Sequence, residues 1–271
     1  MEYRSSLKLI GSVVFLAVLS MGCVSLYSSL LEWDSLAAGE ITVNGIKRLS
    51  ISEVLYQAGI HKGINILSVN TEIARRRLLA HPWIAQADVT RTFPGWTGNP
   101  TAFHIEITEH IPLAVFEFEH KYLVNGRGEI FKRWAPSDPV LPLIKGLKLS
   151  DLNILEKNND ISFKSVMDVL QFGSQPENII PNRLIRQINV DREMGLHLLV
   201  KPDDALFQIH EIRLGYYNYE EKYAQLQRLL AYLKETQSDM RIRSIDLNDL
   251  DRVVVAPAST ESPARIPNEE V

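Results

Sequence analysis

Hydrophobic and polar positions follow different rhythms along this chain, and each rhythm predicts an element. Over residues 101–109 they alternate: Phe103, Ile105 and Ile107 fall on one side and His104, Glu106 and Thr108 on the other, the period of a strand with one buried face. Ala87, Val89 and Arg91 alternate in the same way and predict the strand before it. Upstream, Ile41 and Val43 make a short strand closed by a turn at Asn44 and Gly45. Ser50 and Glu53 have the spacing of a capping box, opening a helix through Val54, Leu55 and Ala58 that stops at Gly59. Asn70 caps a second helix over residues 71–80, which Pro82 ends because a residue before proline is pushed out of the α region. The order is strand, helix, helix, strand, strand.

From Leu113 onward strands dominate. "LAVFEFEHKYLVNGRGEIFKRW" reads as a meander with turns at His120-Lys121 and at residues 125–128, and Pro136, Pro139 and Pro142 mark an irregular crossing. A helix over residues 163–172 precedes strands at 184–190, 196–200 and 209–214. Asn218 and Glu221 predict the capped start of another helix, where Tyr219, Tyr223, Leu226, Leu230 and Leu233 form one apolar stripe suited to core packing. Strands at 242–247 and 251–256 close the pattern, and the Pro-, Ser- and Glu-rich residues 258–271 read as a disordered tail.

A third rhythm is no rhythm at all. Residues 9–31, "LIGSVVFLAVLSMGCVSLYSSLL", contain no charge, and at about 1.5 Å per residue a helix of that length covers the roughly 30 Å hydrocarbon core of a bilayer. Arg4 and Lys8 precede it while Glu32 and Asp34 follow, which orients the N-terminus to the cytoplasm. Tyr27 and Trp33 suit the far interface. The run is longer than the apolar core of a cleaved signal peptide and lacks a clear Ala-x-Ala. Ser20 stands where lipidation at Cys23 would want a bulky aliphatic residue. Cys23 is the only cysteine, so no disulfide forms within the chain and packing must hold the outer part together.

Charge and composition narrow the function. With 271 residues, 45% of them hydrophobic, the chain can build one large or two modest cores. A net charge of −4 gives no general attraction to nucleic acid. No Gly-x-Ser-x-Gly, His-Glu-x-x-His, Ser-x-x-Lys or phosphate-cradling glycine loop occurs. His104, Glu106 and His110 share a strand face and are the best metal candidates, but they read more simply as a solvated sheet surface, and no metal or cofactor is expected. Arg75, Arg76 and Arg77 advance by about 100° each around a helix and read as a solvated face. In "HPWIAQADVTR", His81 and Pro82 end a helix while Trp83 and Ile84 pack the corner, so His81 has no catalytic reading.

Taken in order, "VNGIKRLS", "HPWIAQADVTRTFP" and "ITEHIPLAVFE" resemble the bacterial cell-division family FtsQ, also called DivIB, over essentially the whole chain outside the tail. The resemblance implies an α+β protein with a cytoplasmic tail (residues 1–8), a single transmembrane helix (9–31) and a linker (32–39). A β-α-α-β-β POTRA domain (40–110) and a mostly antiparallel β domain with packed helices (111–257) would follow, then the tail (258–271). It implies no enzyme and no cofactor, but a divisome scaffold in the cytoplasmic (inner) membrane at the septum, with its C-terminal domains in the periplasm. FtsB-like and FtsL-like proteins are the implied partners, with FtsK, FtsW and FtsI-like proteins as further candidates.

Partner binding in the family uses the last strand as an open edge to which a partner strand adds. The matching segment here is residues 245–256, which gives Asp249, Asp251, Arg252, Val253, Val254 and Val255 as candidate contacts. The bland reading is a terminal strand paired inside its own sheet. Many relatives carry an Arg-aromatic pair after "IDL", where this chain has Asn248 and Asp249. The turn "GWTGNPT" also looks longer than usual. An alternative function is a POTRA-type chaperone for β-rich substrates, although no run of amphipathic membrane strands is present.

Overall fold

A computed structural model describes residues 2–31, 36–93, 101–152, 161–175, 178–202, 209–236 and 242–257, with side chains in the first helix described over 12–27. The tail, the first half of the expected linker including Trp33, and most of the "GWTGNPT" turn lie outside the described residues. The chain divides into two compact units, Met1–His110 and Ile111–Val271.

The first unit opens with α1 (Glu2–Leu31). Its described side chains are exposed, including Val13, Phe15, Leu16, Leu19 and Val24. Among the described residues no helix is long and apolar enough to cross a membrane. After it come β1 (Glu40–Asn44), α2 (Ile51–Ala58), α3 (Thr71–Leu79), β2 (Ile84–Thr92) and β3 (Ala102–Glu109). The sheet order is β1-β3-β2, with β1 parallel and β2 antiparallel to β3. This is the expected β-α-α-β-β order.

Local chemistry explains these elements. The Ser50 hydroxyl accepts from the Glu53 N–H while the Glu53 carboxylate accepts from the Ser50 N–H, the reciprocal capping box; Gly59 closes α2 at φ 72. Asn70 Oδ1 accepts from the N–H groups of Glu72 and Ile73 to start α3. Ala80 is still right-handed, so the chain leaves the helix at His81 and turns through Pro82 and Trp83 into β2. Phe103, Ile105 and Ile107 are buried with Val54, Ala58, Ala74 and Leu78, while His104, Glu106 and Thr108 face outward. Arg91 sits on the inner side of β2 and donates to the carbonyls of Ile66 and Val69.

The second unit contains β4 (Pro112–Glu117), β5 (Lys121–Asn125), β6 (Ile130–Arg133), β7 (Leu143–Lys145), α4 (Ile161–Phe172), β8 (Ile185–Asp191), β9 (Gly195–Val200), β10 (Glu211–Gly215), α5 (Tyr219–Glu235), β11 (Ile242–Asp246) and β12 (Val254–Pro257). One nine-stranded sheet runs β12-β11-β10-β9-β8-β7-β4-β5-β6. Most neighbours are antiparallel, but β4–β7, β7–β8 and β10–β11 are parallel. Such pairs need a crossover, and α5 supplies the one between β10 and β11. Inward residues of the strands form one core with Val166, Val169 and Leu170 of α4 and Tyr219, Tyr223, Leu226 and Leu230 of α5.

Two expectations are corrected here. Asn218 does not cap α5: it is left-handed at φ 53 and makes no side-chain cap hydrogen bond. The last strand begins at Val254 rather than Asp251, because the Asp251 N–H is taken by the Asp249 side chain and the loop turns on itself there.

Candidate partner-docking edge

β11 and β12 form an antiparallel hairpin in which Asp246 lies opposite Val254, Ile245 opposite Val255 and Ser244 opposite Ala256. Because β12 ends the strand order, no strand lies along its outer side among the described residues. An edge of this kind offers unpaired backbone donors and acceptors to an added strand. Val254 is 44% exposed, whereas Val253 and Val255 pack against the core. Side chains thus fix the strand to its own sheet, and no strand among the described residues covers its outer side. Pro257 ends it with a residue that cannot donate.

The hairpin loop is tied down at several points. The Leu247 N–H donates to the Arg213 carbonyl at 2.8 Å, and the Asn248 N–H to Asp246 Oδ1 at 2.9 Å. The Asp251 N–H donates to Asp249 Oδ1 at 3.0 Å. Gln225 of α5 donates its side-chain N–H to the Leu250 carbonyl. Gly215, at φ +62, lets Asn248 lie close: a Cβ at that position would fall 1.8 Å from Asn248 Oδ1. The result is a loop tied to β10 and α5 that carries Asp249, Asp251 and Arg252 exposed beside the start of β12.

Beside this loop is a concavity of about 420 Å³ whose lining includes Tyr217, Asn218, Lys222, Asn248 and Asp249. Lys222 is buried at 2% exposure. Its Nζ donates to the carbonyls of Leu214 and Tyr216. Burial pushes its ammonium pKa down, and the Asp246 carboxylate opposes that shift. Burial also raises the Tyr219 hydroxyl to about 12, which keeps it neutral in the core. The sequence carries a signal for Lys222, which falls on the apolar arc of α5 between Tyr219 and Leu226.

Other candidate residues are not brought together. Among the described residues no three His, Cys, Asp or Glu side chains converge to hold a metal, so His104, Glu106 and His110 stay apart as ligands. Arg75 and Arg76 both pair with Glu72, at 2.8 and 3.0 Å, as a surface network. His81 shapes the corner through its carbonyl, which accepts from the Ile84 N–H. Trp83 is buried there beneath the Arg48 guanidinium, 4.0 Å from the ring centre.

Comparison with known proteins adds the lineage. Residues 36–110 match the FtsQ-type POTRA domain, and residues 114–248 match the C-terminal domain of cell division protein FtsQ/DivIB. The second match ends at Asn248, so Asp249 to Val255 lie past it. Cell division protein FtsQ of Anaeromyxobacter sp. (strain K) is 31% identical over 222 residues, covering 80% of this chain and 71% of that protein. FtsQ of Geobacter sp. (strain M21) is 26% identical over 250 residues, 90% of this chain and 85% of its own. FtsQ of Myxococcus fulvus is 31% identical over 143 residues, 52% of this chain and 48% of that protein. With both folded units matched in order, the chain belongs to the FtsQ/DivIB family of cell division proteins.

Proposed function

We propose that this protein is a non-catalytic, membrane-anchored scaffold of the divisome that recruits and regulates septal cell-wall synthesis proteins. Its business surface is the outer edge of β12, where a single-pass partner of the FtsB or FtsL type adds a strand. The observation that carries this reading is the place of Val254–Pro257 at the end of a nine-stranded sheet, behind a loop fixed to α5. Backbone hydrogen bonding supplies affinity at such an edge, and the flanking charges of Asp249, Asp251 and Arg252 supply selectivity.

Residues 9–31 anchor the scaffold. The exposed Val13, Phe15, Leu16, Leu19 and Val24 side chains of α1 support this, because apolar side chains spread over a helix surface favour an apolar surrounding. Arg4 and Lys8 before the run support a start in the cytoplasm, with the two folded units in the periplasm. The POTRA unit would serve localisation and contact with upstream partners.

Truncation after Asp249 tests the reading. The shortened chain stays in the membrane fraction but no longer captures an FtsB-like partner; full capture by that truncation contradicts strand addition.

A further inference from the structure

Leu36 and Ala38 are pinned to the loop that follows α2. The Ile66 N–H donates to the Leu36 carbonyl at 2.9 Å, the Ala38 N–H to the Ile64 carbonyl at 2.8 Å and the Gly63 N–H to the Ala38 carbonyl at 3.1 Å. Leu36 comes five residues after Leu31, where α1 ends, and five Cα steps span at most about 18 Å. A chain anchored by residues 9–31 therefore keeps the loop of residues 61–66 close to the bilayer surface.

More of the POTRA unit gathers at that end. The N–H groups of Gly39 and Glu40, where β1 starts, both donate to the Thr101 carbonyl, and Thr92 at the end of β2 lies opposite Ala102 at the start of β3. Arg91 ties the loop to the sheet here. Its Nη1 donates to the Ile66 and Val69 carbonyls at 2.8 and 3.1 Å, and its guanidinium carbon stands 5.6 Å from the centre of the Phe93 ring. The other end of the sheet, where Glu109 holds Lys47 to Leu49, is the length of β3 away, about 23 Å at the rise of a strand.

The near end has the chemistry of a lipid-facing surface. Residues 59–69, 91–93 and 101–102 contain His61, Lys62 and Arg91 but no carboxylate, and Lys62 is exposed. Glu40 stands at the start of β1. Phe93 is 49% exposed. A lysine free to reach phosphate beside an exposed aromatic ring holds a surface at the headgroup level of an anionic bilayer. Glu32 and Asp34 of the linker are the competing partners for Lys62, and dependence on lipid charge separates the two.

We propose that the POTRA unit rests on the bilayer by this end, with Lys62 on lipid phosphate and Phe93 at the headgroup boundary, so that the Glu109 end faces away from the membrane. The inference rests on anchoring by residues 9–31.

Its test uses the full chain reconstituted in vesicles of mixed phosphatidylcholine and phosphatidylglycerol. Cys23→Ser removes the only cysteine, and Ser68→Cys or Lys47→Cys then carries a fluorophore at the near or the far end. Nitroxides on the lipid headgroups quench position 68 strongly and position 47 weakly. Lys62→Gln lowers the ratio of docked to undocked chains about fivefold, the worth of one basic residue at an anionic surface, and pure phosphatidylcholine does the same. Phe93→Ser lowers it as well, and both surface variants keep their melting temperature. Equal quenching at 68 and 47 in chains that resist alkaline carbonate extraction overturns docking and leaves the anchor standing. Quenching at 68 that ignores lipid charge assigns Lys62 to Glu32 and Asp34 and overturns the phosphate contact. Quenching undiminished in both Lys62→Gln and Phe93→Ser overturns the role of these side chains. Chains that carbonate extracts overturn the anchor itself, and docking with it.

Discussion

The side-chain amide of Gln225 donates to the carbonyl of Leu250, joining the middle of α5 to the middle of the loop that presents β12. This one hydrogen bond couples a core helix to the loop before the candidate docking edge. Gln225→Ala should cost about 1 kcal/mol of stability. Hydrogen exchange should quicken over residues 248–253 and stay unchanged in the POTRA unit. A uniform rise across both units would contradict a local clamp.

Glu109, the last residue of β3, accepts from the backbone N–H groups of Lys47, Arg48 and Leu49 at 2.9 to 3.1 Å. Partial burial pushes its carboxyl up, but the three N–H donors and the Arg48 charge outweigh it, and the pKa lies below the ordinary carboxylate value of 4.5. A folded pKa below the unfolded one means the contribution is complete above that unfolded value and is lost as pH falls through the folded pKa. Glu109→Gln should therefore destabilise the protein at pH 7 by about 1 kcal/mol, because the amide oxygen still accepts but the charge that strengthens these hydrogen bonds is gone. The gap from the unaltered protein should close as pH drops below 4.5. Melting curves across pH check this; a gap constant down to acid pH contradicts it.

Phe116 of β4 is fully buried, and its ring meets Phe163 of α4 edge-on with centroids 6.1 Å apart. Phe116→Ala should cost about 3–5 kcal/mol, because the cavity left between sheet and helix cannot collapse freely. Tyr56, 89% exposed on α2, is the matched control: Tyr56→Ser should change stability by no more than about 0.5 kcal/mol. Denaturant titrations of both variants separate core from surface.

Val254 faces away from the core opposite Asp246, so Val254→Lys should fold normally while placing a cation on the open edge. Capture of an FtsB-like partner should weaken with no loss of melting temperature. Undiminished capture would argue that the edge is not the contact.

The short-range parts of this structure were legible in the residues. Alternation placed Phe103, Ile105 and Ile107 inside, Ser50 and Glu53 marked a cap that forms both of its bonds, and the stripe from Tyr219 to Leu230 packs as read. What could not be read depends on partners distant in sequence. Asn218 and Glu221 have the spacing of a cap, but Lys222 grips carbonyls on both sides of Gly215, and Asn218 is left-handed beyond them. The parallel pairing of β10 with β11 follows from how α5 crosses the sheet, not from any residue in either strand. At the candidate site, resemblance and adjacency point to Asp249, Asp251, Arg252, Val253, Val254 and Val255. The Tyr217–Lys222 wall beside them appears only once β10 and the hairpin loop are brought together.

Hydrogen exchange over residues 254–256 of the full-length chain, with and without a bound FtsB-like partner, tests the central claim most directly. Strand addition predicts that the outward-facing amides of β12 become strongly protected when the partner binds. Exchange at those amides that stays the same with the partner bound would contradict docking at this edge.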